Sequence, residues 1–182
     1  MIDIIGGEGI ILHNKNIVLG MQKEKRWYNM SNGQRGAVVK TIGGQIEKED
    51  NGSLKNALIR ETMEEIKNIS LSDIIISPKK IFEKEILMKD LNPFEKTSKL
   101  KMKAKFYLIN IKDNKTIFPN DLPFLFEIPI KDFIEIEINK IISIDVIKKY
   151  MINGDNDIEL PEYISLFIPI EVKEYLRVNY DE

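Results

Sequence analysis

Three glutamates, Glu61, Glu64 and Glu65, crowd into one turn and a fraction of residues 54–66, a stretch whose apolar spacing predicts a helix. At about 100° per residue, Leu54, Ala57, Leu58, Glu61 and Glu65 share roughly one third of the helix circumference, with Glu64 at its edge beside Ala57. The carboxylates therefore continue an apolar stripe. Ile59, Met63 and Ile66 form a second apolar face, so the helix is expected to be covered on two sides. Partly enclosed like charges one turn apart repel each other unless they are protonated or share a cation. A divalent ion resolves the conflict, and oxygen donors with neither His nor Cys nearby point to Mg2+ or Mn2+ rather than zinc. The competing account is a solvated Glu-rich helix, which predicts no cation effect on stability.

The elements that would position these groups are legible in part. Residues 4–12 and 17–22 are apolar and separated by His13, Asn14, Lys15 and Asn16, a hairpin signal. A polar loop over 22–36 leads to a short strand over 37–42, and Gly43 and Gly44 are expected to break regularity. Ser53 is a good N-cap for the helix. Strands are expected over 74–76, 81–87, 99–106 and 124–130. In the third of these, Lys99, Lys101, Lys103 and Lys105 alternate with Leu100, Met102, Ala104 and Phe106, which reads as the wet face of an edge strand, or as a row that draws anionic substrates. Helices are expected over 141–151 and 164–175, the latter with Pro169 in its middle, so the part from about residue 130 onward reads as mainly helical. Strands, one strong helix, further strands and late helices make an α+β chain of α/β/α sandwich type, in a single domain over residues 1–182.

Residues 43–69, GGQIEKEDNGSLKNALIRETMEEIKNI, carry a denser pattern. Gly43, Gly44 and Glu47 form a GGxxE opening, and Arg60, Glu61, Glu64 and Glu65 form RExxEE. This stretch resembles the Nudix box. The resemblance implies a sandwich with a mixed β-sheet and a central loop-helix-loop metal site, and Mg2+-dependent hydrolysis of a diphosphate linkage in a nucleoside diphosphate derivative or a related small molecule. It implies Glu61, Glu64, Glu65 and the Gly43 carbonyl as metal ligands, with Arg60 orienting a box carboxylate. The family also includes non-catalytic, nucleotide-sensing domains as the alternative. Three departures stand out. The interval from Gly44 to Arg60 is two residues longer than usual, with Asn51 and Gly52 as the turn that absorbs the excess. The first-half glutamate is missing, and Glu49 or Asp50 takes its place. Lys67 occupies the usual Gly position, with Asn68 beside it as the residue able to adopt a left-handed cap.

An acidic residue from elsewhere is expected to assist: Glu47 within the box, or Glu83, Glu85, Glu95, Asp121 or Glu127 beyond it. Arg26, Trp27 and Tyr28 are the candidates for gripping phosphate and stacking a base, against the alternative that the Trp is core. His13 is assigned no role. With 27 basic and 29 acidic residues the net charge is -2, which gives no global drive toward nucleic acid polymers or an anionic membrane. Any anionic small molecule must be met locally. The chain has no cysteine, no basic region ahead of an apolar run at its start and no apolar stretch of spanning length, so a cytoplasmic protein is expected, with a homodimer left open.

Overall fold

The computed structural model describes residues 2–153 and 158–180. Strands β1 (Ile4–His13) and β2 (Asn16–Met21) form the expected hairpin, turning through Asn14 and Lys15 at φ 49° and 62°, the left-handed pair that two-residue hairpin turns require. The polar loop that follows holds the two-residue strand β3 (Tyr28–Asn29) before β4 (Arg35–Lys40). Gly43 and Gly44 do not end the regular structure as expected. They belong to β5 (Ile42–Gly44), paired antiparallel to β1 with Gly44 opposite Gly7 and Gly43 opposite Glu8.

Helix α1 (Leu54–Glu65) begins at Ser53, whose side chain accepts from the Asn56 N–H, as the sequence predicts. It is followed by β6 (Ile66–Lys67), β7 (Ile74–Ile76), β8 (Phe82–Leu87) and the short helix α2 (Met88–Leu91). Then come β9 (Lys101–Ile111), β10 (Phe118–Pro119), β11 (Phe124–Pro129) and α3 (Ile130–Glu135). The last elements are β12 (Ile141–Ser143), β13 (Met151–Asn153), β14 (Tyr163–Phe167) and α4 (Ile170–Tyr180).

The main sheet runs β12-β14-β4-β2-β1-β9-β7, with β3, β5, β8, β11 and β13 attached to its sides and β6 paired with β10 apart from it. It is mixed: β1 and β9 run parallel, as do β4 and β14, while the other pairs are antiparallel. Alternate residues of the central strands face opposite layers. Ile10, Leu12, Ile17, Leu19, Phe126 and Ile128 pack with Phe133 of α3 and Val172 and Leu176 of α4, whereas Ile11, Val18 and Leu125 pack with Leu58 of α1. The result is the α/β/α sandwich expected from the pattern, with α1 alone on one face.

Several sequence expectations give way to tertiary context. The Lys-rich strand is not an edge, since β9 has β1 on one side and β7 and β8 on the other, and Lys103 is paired with Glu83 at 2.8 Å. The region after residue 130 mixes helices α3 and α4 with the strands β12, β13 and β14. Residues 141–151 form β12 and two tight turns, and the 164–175 segment divides at Pro169 into strand β14 and helix α4. Proline lacks the N–H that a helix interior needs, so it marks a helix start here. The second apolar face of α1 is also incomplete, because Met63 is exposed and the buried side is completed by Thr62, whose hydroxyl donates to the Leu58 carbonyl at 2.7 Å. Among the described residues no helix is long and apolar enough to cross a membrane.

What seats α1 on the sheet is the approach of Leu58 and Leu54 to the bare backbone of Gly7, where an added Cβ would lie 3.1 Å from Leu58 Cγ. Leu58 is fully buried. Its replacement by Ala is expected to cost about 2–5 kcal/mol, the usual penalty for emptying a core leucine site, measured by urea denaturation.

Candidate functional site

The centre of the site is a guanidinium. Arg60, on α1, sends Nε to Asp50 Oδ1 at 3.3 Å and one terminal nitrogen to Asp50 Oδ2 at 3.2 Å and to the Gln45 carbonyl at 3.1 Å. Its other terminal nitrogen reaches Glu61 at 3.0 Å, Glu64 at 3.1 Å and, more loosely, Glu47 at 3.8 Å. Between Glu49 and Asp50 the structure therefore selects Asp50 as the partner of Arg60. Asp50 is 2% exposed, and Glu49 is exposed. Hydrogen bonds from Arg60 and from the Glu47 N–H hold the Asp50 carboxyl below its ordinary pKa, and the same contact raises that of Arg60. Asp50 ends a single tight turn, Lys48–Asp50, closed by a reciprocal capping box with Glu47. The chain then passes through Asn51 and Gly52 at φ 51° and 75° before Ser53 starts the helix. These two left-handed residues form the turn expected at Asn51 and Gly52.

At its far end α1 stops at Glu65, and Ile66 and Lys67 are already extended and paired with Phe118 and Pro119. A left-handed glycine is therefore not required at position 67. Asn68 does adopt φ 66°, but as a turn residue beyond β6, not as the helix cap. The last carbonyls of the helix are met from another segment: the Asn120 N–H donates to the Glu65 carbonyl at 2.9 Å and its side-chain amide donates to the Glu64 carbonyl at 2.8 Å.

The three glutamates have unlike environments. Glu64 is half exposed and turned toward Arg60. Glu61 is 18% exposed and lies against the backbone of Gly44, where any Cβ would collide with its carboxylate. Burial pushes its pKa up, against the pull of Arg60. Among the described residues Glu65 has no cation in contact, and its buried Oε2 has no hydrogen-bond partner. Burial first, and then the nearby Asp121 carboxylate, raise its pKa to about 7. Beside it lies a small cavity lined by Gly20, Lys40, Thr41, Ile42, Gly43 and Leu122. A buried, unpartnered carboxylate oxygen on such a cavity, with Glu61 one turn away and the Gly43 backbone opposite, is a donor set of oxygens alone and fits a hard divalent cation. As the side chains stand, Glu61 and Glu64 are drawn to Arg60, and among the described residues no three His, Asp or Glu side chains converge on one point.

Other expected residues fall elsewhere. Glu127 is engaged away from the helix. It binds buried His13 at 2.8 Å and Asn16 at 3.1 Å at the turn end of β1. That is six residues past Gly7, where β5 pairs, or roughly 20 Å along an extended strand. Glu83 is paired with Lys80 and Lys103, Glu85 lies opposite Lys103 on β8, and Glu95 accepts from the Tyr28 hydroxyl. Asp121 is the one of the five candidates placed toward Glu65, and it is paired with Lys23. The proposed base-stacking residues are committed inward. The Trp27 indole donates to the Gln22 carbonyl at 2.8 Å and carries Arg35 over its ring, while Tyr28 stacks on Phe94 and bonds Glu95 and Asn92. Arg26 is exposed and shares no bond with them. The sequence reading missed Asn120, Lys23 and Lys40. None has a spacing signal relative to the helix: Lys23 and Asn120 arrive from distant parts of the chain, and Lys40 from the strand that precedes Gly43.

Comparison of the whole fold with solved structures gives a superposition on the NUDIX domain of Shewanella oneidensis NrtR, in a structure complexed with ADP ribose, over 98% of this chain and 88% of that one, with a TM-score of 0.54 at 10% identity. The chain has the Nudix fold. The E. coli dihydroneopterin triphosphate pyrophosphohydrolase also superposes, with a TM-score of 0.50 at 10% identity over 71% of this chain and 83% of that one. No protein-family model matches the sequence, and no curated protein matches it.

Within this Nudix fold the Arg60 cluster and Glu65 each generate a test. Asp50→Ala is expected to lower the melting temperature by roughly 5–10 °C because it strands a largely buried guanidinium, whereas Glu49→Ala should change it by no more than roughly 1–2 °C. Equal effects would overturn the assignment of Asp50. For Glu65 the folded pKa lies above the unfolded one, so the metal-free folded state binds the proton more tightly and stability falls as pH rises from about 4.5 to about 7. Glu65→Gln removes that penalty. The metal-free variant should melt roughly 2–4 °C above the metal-free parent at pH 8, and the gap should close as pH falls toward 4.5. A variant that melts lower at pH 8 contradicts this account.

Proposed function

We propose that this protein is a divalent-cation-dependent hydrolase that cleaves the diphosphate linkage of a nucleoside diphosphate derivative or related small molecule. Glu61, Glu64, Glu65 and the Gly43 carbonyl are the groups proposed to hold Mg2+ or Mn2+. The observation that carries the reading is the buried, unpartnered Oε2 of Glu65 on the cavity beside Gly43 and Lys40. A carboxylate left so is costly until it is protonated or meets a cation. When bound, such a cation neutralises phosphate oxygens and lowers the pKa of the attacking water.

The protein's own groups have distinct parts in this scheme. Arg60 gathers Glu61 and Glu64 on one side of the helix and ties them to Asp50 at its start, so the carboxylates are held near their working positions before any ligand arrives. Lys40 borders the cavity and Lys23 stands beside Asp121. Both amines are the groups proposed to meet phosphate oxygens. The small-molecule class is supported by the absence of a global positive charge and by the two Nudix neighbours, one complexed with ADP ribose and one described as acting on dihydroneopterin triphosphate. The cysteine-free sequence suits a reducing compartment such as the cytoplasm.

One observation favours a second reading, a nucleotide-sensing domain without turnover: Glu61 and Glu64 are both engaged by Arg60, leaving Glu65 alone facing the cavity. Phosphate release measured with Mg2+ or Mn2+ across nucleotide sugars, dinucleoside polyphosphates and nucleoside triphosphates separates the two. Turnover that rises toward alkaline pH and disappears in excess chelator is the expected result. Full activity in chelator would sink the metal mechanism, and tight binding with no product would favour the sensor.

A further inference from the structure

The end of α1 that carries Glu64 and Glu65 is also the negative end of the helix, where the last carbonyls lack intrahelical partners. Carboxylates at this end face an unfavourable dipole; no basic residue lies in the last turn of α1, and Arg60, one turn earlier, pairs with Glu64. The orphan carbonyls are met by the segment around β10. Phe118 and Pro119 pair with Lys67 and Ile66 in a two-stranded ladder separate from the main sheet. The next residue, Asn120, spends its backbone N–H on the Glu65 carbonyl and its side-chain amide on the Glu64 carbonyl. The residue after that, Asp121, directs its charge at Glu65, and Leu122 closes the cavity beside Glu65 by lying so tightly against Gly20 that no Cβ would fit there. Within this segment Asn120 bonds the last two residues of the helix, Phe118 and Pro119 hold the two residues that follow it, and Asp121 and Leu122 come to lie beside Glu65.

We propose that Asn120 is a positioning residue for the cation site: by donating to the Glu64 and Glu65 carbonyls it fixes the helix end and brings Asp121 and Leu122 to the Glu65 cavity. The inference rests on the metal-binding role proposed above for these glutamates. Its physical content is that cation binding and the docking of the 118–122 segment are one linked equilibrium, so loosening the dock weakens the cation. A residue that merely caps a helix would contribute equally to the metal-free and metal-bound forms.

The experiment is a thermal-melt titration with Mg2+ at pH 8, using the full chain as wild type, Asn120→Ala and Asn120→Ser, with Mg2+ affinity confirmed by calorimetry. Asn120→Ala keeps the backbone donor and loses the amide. Its half-saturating Mg2+ concentration should rise roughly tenfold, the low end of the range found when a group supporting a metal ligand is removed. Asn120→Ser, which retains a donor, should fall between the two, and it carries the test alone if the Ala variant fails to fold. An unchanged half-saturation in a folded variant, even with a lower metal-free melting temperature, would overturn the positioning role while leaving the metal reading intact. A wild-type protein that shows no Mg2+ response removes the metal reading itself, and the inference with it.

Discussion

The Arg60 guanidinium is the constraint on which the rest of the site depends. A single planar cation, 14% exposed, receives carboxylate oxygens from both sides of the loop-to-helix junction: Asp50 from the turn before the helix, Glu61 and Glu64 from the helix itself. Three carboxylates so close would repel one another in a medium of reduced dielectric, and a fork of five N–H donors is the side chain best shaped to hold them together. Glu65 lies one turn beyond Glu61 and outside this network. The charge imbalance that defines the cavity is therefore a consequence of how Arg60 distributes its hydrogen bonds. The loop is equally dependent. Glu47 and Asp50 cap one another's backbone, and that turn is aimed correctly only while Asp50 has Arg60 to meet.

Support for this cluster comes from beneath. Glycine at position 7 lets Leu54 and Leu58 approach the sheet, and glycine at position 44 leaves the space that the Glu61 carboxylate fills. The two glycines are paired across β1 and β5, so the helix face that buries leucines and the face that presents glutamates are seated on one ladder step. Stability and chemistry share this contact, which explains why carboxylates continue the apolar stripe of α1 instead of occupying its wet side.

Local patterns in the sequence predicted what local physics decides. The hairpin between residues 12 and 17, the Ser53 cap, the turn at Asn51 and Gly52, and the period of β9 are each set by a few adjacent residues, and each is found. The layered α+β architecture followed from element order. Where distant segments decide, the pattern was silent or misleading. The run over 164–175 has helical composition, yet residues 163–167 are recruited as a strand by pairing with β4, more than a hundred residues earlier in the chain. Lys101 to Lys105 look like an edge because nothing in their own spacing reports that β8 and β1 lie on either side. Likewise the contribution of Asn120, and the commitment of Glu127 to His13, exist only once strands far apart in the chain are adjacent.

The Asn51–Gly52 turn has a different kind of consequence. A Cβ built on Gly52 would meet nothing within 4 Å, so the turn projects into open space and neither helix nor sheet leans on it. Its length can therefore vary while Asp50 and Arg60 stay together. The geometry of this part of the molecule is held in distances between side chains, Asp50 to Arg60 above all, and not in the number of residues that separate them along the chain.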